Sequence, residues 1–289
     1  GEKATLQKLL EAVAVGSAND AAVAVAAALY GSADAAVVAM NARAAELGMS
    51  ATRYVNVTGL PEGRRADENL STARDQALLA REVVLGHPGV LEQTRLTWTR
   101  FRPGLVVPCT NVLLKDYEGL DGLKTGYHDR ARSNIVATAQ RSGRRLIVVV
   151  LGSPGPRQRN AAVTRLLDRG FAEWELITGL GRGRGFDGEF RVPGSWKGTV
   201  PVLAARGLRF ALKPADRSRV RIVLGEGARL NAPIDEGQVV GEIQAWLGDR
   251  LLASVPALAG RAVARSWLRL PFGGAETPWP ELSLDGGGQ

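Results

Sequence analysis

At 289 residues the chain is long enough for two domains or one large one, and 45% hydrophobic with 23% charged residues is an ordinary globular composition. The net charge of +8 fits anionic surroundings such as phospholipid, nucleic acid or wall polymers, or a generally solvated surface, because the arginines are scattered and form no tracts. One cysteine, Cys109, excludes an internal disulfide and a Cys-based zinc site, and with only His87 and His128 as histidines neither a metal centre nor a cofactor is expected.

In chain order, Gly1-Glu2-Lys3 shows neither an initiator Met nor the apolar stretch of a signal peptide, which reads as a start removed by processing or truncation. Thr5 is placed to cap a helix whose Leu6, Leu9, Leu10 and Val13 share one face and which stops at Gly16. Ser17-Ala18-Asn19 follows as a short non-helical link. Asn19 or Asp20 then caps a helix over Ala21–Leu29, and a further Ala-rich helix runs from about Ala35 to Leu47, ending at Gly48. Val55 to Asn69 carries Gly59, Pro61 and Gly63 and reads as a loop, after which Ser71 caps a helix reaching Val84.

The pattern then turns to strands. Leu96 to Phe101 alternates around Trp98, and Asn134–Gln140 and Leu146–Leu151 form a hairpin across Ser142-Gly143. The all-apolar run Leu146–Leu151 is expected to be a central strand covered on both sides. Asn160 caps a helix carrying Val163, Leu166 and Leu167. Helices before and after an antiparallel hairpin imply an α/β (α+β) domain, a sheet with helices packed on it, over residues 1–178. Gly179 to Gly188 reads as a linker, because its glycines follow a helical segment and lead into strands, the reverse of a dinucleotide fingerprint. Residues 189–260 form a small all-β domain, with Val220, Ile222 and Leu224 on one face and a hairpin at Gly248-Asp249. Residues 261–289 are a mostly disordered tail, rich in Gly and Pro from Pro271 onward.

Two triplets carry chemistry. In Ser17-Ala18-Asn19 a hydroxyl and an amide two residues apart in a non-helical link can project the same way, which suits proton relay and hydrogen bonding to a peptide backbone. In Lys124-Thr125-Gly126 a cation and a hydroxyl address a carboxylate, while the missing side chain of Gly126 lets a substrate backbone approach a strand edge. Alone, the first triplet reads as a capping turn and the second as a surface strand end. No Ser-x-x-Lys occurs in the 289 residues.

The surroundings of the triplets are more specific. Gly16-Ser-Ala-Asn-Asp-Ala-Ala22, Leu47-Gly-Met-Ser, Val55-Asn-Val-Thr-Gly-Leu-Pro61 and Leu70–Ala80 lie in order before Asp121-Gly-Leu-Lys-Thr-Gly-Tyr127, Arg144–Gly152 and Asn231–Gly241. Over roughly residues 1 to 260 the chain resembles the low-molecular-mass penicillin-binding proteins, the serine-type D-Ala-D-Ala carboxypeptidases of peptidase family S11. The resemblance implies a β-lactamase/DD-peptidase-like domain followed by a small all-β domain. It also implies an acyl-enzyme reaction that removes the terminal D-alanine of peptidoglycan pentapeptides ending in D-Ala-D-Ala, and covalent binding of β-lactams.

By the same resemblance Ser17 relays a proton to the leaving D-alanine, Asn19 holds the substrate backbone, and Lys124 supplies positive charge. Thr125 bonds the terminal carboxylate, Gly126 admits the substrate, the N–H of Tyr127 completes an oxyanion hole, and Arg159 helps to hold the carboxylate. Ser133 stands where the family often has glycine. The nucleophilic Ser and its Lys belong to the Ser-x-x-Lys that is not present here, so the chain reads as an N-terminally incomplete catalytic domain, inactive alone. The alternative is a relative of the same fold that binds wall peptide without catalysis. The resemblance further implies export to the periplasm or the outer face of the cytoplasmic membrane, with a short Arg261–Leu270 stretch as a weak peripheral contact. A Ser-His-Asp triad lacks a Gly-x-Ser-x-Gly elbow, Cys109 reads as a small core or strand residue, and no basic helix or aromatic-basic motif points to nucleic acid.

Overall fold

The computed structural model describes residues 2–61, 63, 68–186, 189–196, 198–225, 228–266 and 282–284. The chain divides into two compact units, Gly1–Phe171 and Ala172–Gln289.

The first unit opens with three helices, α1 (Leu6–Gly16), α2 (Asn19–Tyr30) and α3 (Ala33–Glu46). Thr5 caps α1, its hydroxyl accepting the Lys8 N–H at 3.3 Å. The buried face of α1 is not the expected Leu6, Leu9, Leu10 and Val13 but Glu11, Ala12 and Val15, with Leu6 and Leu10 exposed. The helix is apolar on more than one side, and the contacts of the hairpin described below select the side that carries Glu11. Its carboxylate accepts from Lys8 Nζ at 2.6 Å and from the Thr99 hydroxyl at 2.8 Å. Gly16 is required at the end of α1 because a Cβ there would collide with the Val107 side chain.

Neither Asn19 nor Asp20 caps α2: Asn19 is its first helical residue, Ala18 holds the cap position, and the Asp20 carboxylate accepts the N–H of Ala21 at 2.8 Å. Ser32 caps α3 through the Ala35 N–H at 3.0 Å. The 55–69 stretch is a loop folded around Asn56 and Asn69 side chains, and α4 (Ala73–Gly86) follows. Its cap is Thr72, which accepts the Asp75 N–H at 3.2 Å, because the Ser71 hydroxyl is bound to that of Thr52 at 2.8 Å.

Short α5 (Leu91–Thr94) leads to the hairpin β1 (Trp98–Arg102) and β2 (Leu105–Pro108), then α6 (Leu113–Asp116). Three antiparallel strands β3 (Leu120–His128), β4 (Arg132–Arg141) and β5 (Arg144–Ser153) form one sheet in that order, and α7 (Pro156–Glu173) closes the unit. The apolar strand β5 is therefore not central among the described residues. Two successive hairpins put β4 in the middle, and Leu151 on β5 is 39% exposed. Ile135, Ala137 and Ala139 of β4 bury against Val163 and Leu167 of α7. α7 begins at Pro156, whose fixed φ suits a first helical position, so Asn160 lies inside the helix and does not cap it.

The second unit is β-rich: β6 (Glu175–Leu180), β7 (Phe190–Arg191), β8 (Thr199–Val200), β9 (Val202–Ala204), β10 (Leu208–Leu212), β11 (Val220–Leu224), β12 (Val239–Leu247), β13 (Arg250–Ala259) and β14 (Leu282–Ser283). Its main sheet runs β14-β11-β12-β13-β9, while β6 pairs with β10 and β7 with β8. The 1–178 boundary moves to Phe171, because β6 is hydrogen-bonded to β10 of this unit. The 179–188 stretch is not a linker: Leu180 and Phe186 are core residues, and Phe186 meets the Phe190 ring edge-on at 5.4 Å. In the tail, expected to be mostly disordered, Leu282 pairs with Ile222. Trp267, Leu268 and Leu270 of the proposed membrane-contact stretch lie outside the described residues, as do Asp187, Gly188 and Pro271. No single helix among the described residues is long and apolar enough to cross a membrane.

Two adjacent leucines of α7 test this packing. Leu167 is fully buried while Leu166 is 46% exposed. In urea unfolding followed by circular dichroism, Leu167→Ala is expected to cost about 2–5 kcal/mol and Leu166→Ala within about 0.5 kcal/mol of nothing. Equal losses would contradict the assignment of the inward face.

Candidate active site

The two triplets meet. Ser17 sits at the C-terminal end of α1 in a left-handed backbone conformation (φ 58°, ψ 37°), a placement that costs a non-glycine residue about 1–3 kcal/mol. The αL turn ends α1 and starts α2 two residues later. From β3, the Lys124 Nζ donates to the Ser17 Oγ at 2.8 Å, across 107 residues of sequence, and to the Thr125 carbonyl at 2.7 Å. Because the ammonium is the donor, the Ser17 oxygen accepts and its own proton remains free to be given elsewhere. Lys124 has a third N–H with no partner among the described residues.

Burial pushes the Lys124 pKa below its ordinary 10.5, partly opposed by the nearby Cys109 thiol. A partly desolvated ammonium interacts more strongly with an anion or a serine oxygen than a surface lysine does.

Thr125 is buried, and its hydroxyl lies 2.6 Å from that of Thr110. A Cβ added at Gly126 would meet no protein atom within 4 Å, so this strand edge is open to an approaching backbone. Tyr127 is 64% exposed, its hydroxyl donating to the Asp129 carboxylate at 2.9 Å, which raises the Tyr127 pKa.

Asn19 is exposed at the start of α2, two residues from Ser17, with no hydrogen bond from its side chain among the described residues. Arg159 is only 5% exposed, and its guanidinium donates to the Asn160 side-chain Oδ1 at 2.9 and 3.0 Å and to the backbone oxygen of Asn134 at 3.4 Å. Asn134 is the β4 partner of Gly126, so the buried cation contacts β4 at the residue paired with the end of the Lys124–Gly126 triplet. Burial pushes the Arg159 pKa down, and no carboxylate pairs with it among the described residues.

The structure thus joins Ser17 directly to Lys124, sets Thr125 and Gly126 beside them on β3, and leaves Asn19 and Tyr127 at the exposed rim. Thr110, Cys109 and Asn134 were not legible as site residues, since only tertiary pairing brings them to β3. Ser133, opposite Tyr127, is fully buried with its hydroxyl unpartnered among the described residues. Concave surfaces of about 560 Å³ around Trp196 and Arg261 and about 570 Å³ around Lys8 and Trp98 include none of these residues. No cluster of three or more His, Cys, Asp or Glu able to hold a metal occurs among the described residues.

The peptidase S11 family, described as D-alanyl-D-alanine carboxypeptidase, matches residues 1–155, and the C-terminal domain of penicillin-binding protein 5 matches residues 188–265. The chain is 31% identical over 265 residues to the D-alanyl-D-alanine carboxypeptidase DacF of Bacillus subtilis, covering 90% of this chain and 66% of DacF. It is similar to the structure of penicillin-binding protein 3 of Streptococcus pneumoniae, a peptidoglycan synthesis regulatory factor, with TM-score 0.78 and 29% identity over 90% of this chain and 78% of that one. It is also similar to penicillin-binding protein D2 of Listeria monocytogenes in its ampicillin-bound form, with TM-score 0.54 and 36% identity over 58% of this chain and 67% of that one. The chain therefore spans about two thirds of the length of the DacF relative.

The state of Lys124 is measurable directly. Its lowered pKa makes the ammonium costly to fold around; that cost is complete below the folded pKa and disappears as pH rises from there toward 10.5. Side-chain NMR titration, with the resonance assigned by its loss in Lys124→Arg, is expected to give a midpoint below 10.5. A midpoint at or above that value would mean the amine is solvated and not held against Ser17.

Proposed function

Because the chain belongs to the D-alanyl-D-alanine carboxypeptidases of peptidase family S11, we propose that it forms the Ser-x-Asn and Lys-Thr-Gly side of a serine-type D-Ala-D-Ala carboxypeptidase site, which removes the terminal D-alanine from peptidoglycan stem peptides and is acylated by penicillin. The observation that carries this reading is the 2.8 Å hydrogen bond from Lys124 to Ser17, which unites the two motifs in one electrostatic unit.

The reaction is acyl transfer. A serine oxygen attacks the carbonyl between the two D-alanines, the amide bond breaks, and the leaving amine takes a proton; water then releases the shortened peptide and regenerates the serine. The family's Ser-x-x-Lys is not among the 289 residues, so the nucleophile and its base are not assigned here. The residues that are present take the surrounding roles. Ser17, accepting from Lys124, hands its own proton toward the leaving amine and is resupplied from the nucleophile's side. Lys124 keeps Ser17 poor in proton affinity and attracts the terminal carboxylate.

Around that carboxylate stand Thr125 and, from its contact with Asn134 on β4, the buried charge of Arg159. The open edge at Gly126 receives the substrate backbone, Asn19 holds it from the α2 side, and the N–H of Tyr127 faces the developing oxyanion. The substrate is a wall peptide ending in D-Ala-D-Ala, which places the protein outside the cytoplasm, facing the wall. The ampicillin-bound Listeria protein supports β-lactams as mimics of that peptide end.

Labelling the native protein in cell envelopes with a fluorescent penicillin, and assaying D-alanine release from a D-Ala-D-Ala peptide, tests the reading. A covalent adduct and release of D-alanine are expected, with Lys124→Ala lowering both by about 10²–10³-fold. A native protein that binds the peptide but neither labels nor releases D-alanine would replace catalysis with peptide binding.

A further inference from the structure

Where β1 follows α5 and passes α1, a concave surface of about 570 Å³ is lined by Lys8 and Glu11 of α1, Arg95 just beyond α5, and Trp98, Thr99 and Arg100 of β1. None of these six residues belongs to either triplet. Thr99 turns inward and donates to Glu11, whereas Trp98 and Arg100, two residues apart on the strand, both stay exposed. Trp98 is 54% exposed, and its indole N–H has no partner among the described residues. A large aromatic ring is thus left bare inside a concavity.

The polar groups around the indole are only partly used. The Glu11 Oε2 accepts from Lys8 at 2.6 Å and from Thr99 at 2.8 Å, but Oε1 receives only the Gln7 amide at 3.4 Å, so it retains room for a donor. Lys8 spends one N–H of its ammonium on Glu11. Arg95 pairs with the exposed Glu92 at 2.8 Å, and the Arg100 guanidinium has no partner among the described residues. Acceptor and donor capacity therefore stand together beside an aromatic face.

That combination sorts the ligands that could occupy it. A simple anion is repelled by Glu11, a simple cation by Lys8, Arg95 and Arg100, and a purely apolar group leaves all of them without a partner. A pyranose ring meets every requirement. Its C–H face lies flat on an indole, and the hydroxyl and acetamido groups at its rim donate to a carboxylate and accept from an ammonium or guanidinium.

We propose that this surface binds a saccharide ring stacked on Trp98, of the N-acetylated hexosamine class, and so holds the glycan from which a stem peptide hangs. The choice of amino sugar rests on the wall-peptide function proposed above; the stacked saccharide rests on Trp98, Glu11, Lys8 and Arg100 alone. Glu11 precedes Ser17 by six residues of α1, about 9 Å of helical rise, so a glycan held here runs beside the catalytic motifs without entering them. A second point of attachment raises the affinity for polymeric wall over free peptide.

Calorimetric titration of the native protein with a β-1,4-linked N-acetylglucosamine tetramer, which carries neither peptide nor carboxylate, tests the site. Binding with a Kd of about 0.1–1 mM is expected. Trp98→Ala is expected to weaken it by about 10-fold or more, Trp98→Phe to restore part of the loss, and Arg100→Ala to weaken it by about 3–10-fold. Trp196→Ala, at the comparably exposed tryptophan of the second unit (57%), is expected to change nothing. Penicillin labelling and D-alanine release from a free peptide are expected to be the same in Trp98→Ala as in the wild type. A wild type that does not bind the tetramer, undiminished binding in Trp98→Ala, or an equal loss in Trp196→Ala would overturn the proposal. A protein that binds the tetramer in this pattern but is not labelled by penicillin would refute the carboxypeptidase function and leave the saccharide site standing; one that is labelled but ignores the tetramer would do the reverse.

Discussion

The hydrogen bond between Lys124 and Ser17 is the interaction on which the site depends, because each side of it is held in place by a different part of the first unit. Ser17 is presented by a strained αL turn between two helices, and Lys124 by the middle of an antiparallel strand. A charge-assisted bond of this kind contributes about 1.5–3 kcal/mol, comparable to the strain stored at Ser17, so the contact offsets the backbone conformation that creates it. Gly16, which admits Val107 against the end of α1, lets the hairpin brace the turn from outside.

The sheet and α7 do for Lys124 what the hairpin does for Ser17. Ile135, Ala137 and Ala139 on β4 and Val163 and Leu167 on α7 bury one face of the sheet and fix the register in which β3 runs. That register sets Gly126 opposite Asn134, whose backbone oxygen accepts from the Arg159 guanidinium. Arg159 has no carboxylate partner among the described residues, so its field is not neutralised locally. With Lys124 partly desolvated, two cations bias this strand toward anions.

The second unit has a different logic. Its core is built from alternating inward residues such as Val220, Ile222 and Leu224 on β11 and Ile243 and Ala245 on β12, with Phe186 and Phe190 closing one end. It shares no residue with the site. It matches the C-terminal domain of penicillin-binding protein 5.

What the sequence determined by itself was local or carried by motifs. The Thr5 cap, the hairpin turns at Ser142-Gly143 and Gly248-Asp249, the inward face of Val220–Leu224 and the identity of the two triplets follow from residue type and spacing, because turns, caps and alternation are set within a few residues. What failed was whatever required knowing the neighbour. The apolar run of β5 looked central but lies beside one strand only among the described residues, and α1 buries Glu11 in preference to Leu6 because a hairpin 88 residues later supplies Thr99. Glycine-rich 179–188 looked like a linker until β10 paired with β6. Thr110 carries no motif at all; its relation to Thr125 exists only once the segment after β2 is pinned to α1 by the bond from the Thr110 N–H to the Val15 carbonyl. Periodicity names the faces of an element, but which face is covered, and which hydroxyl meets which, is decided by packing between segments far apart in the chain.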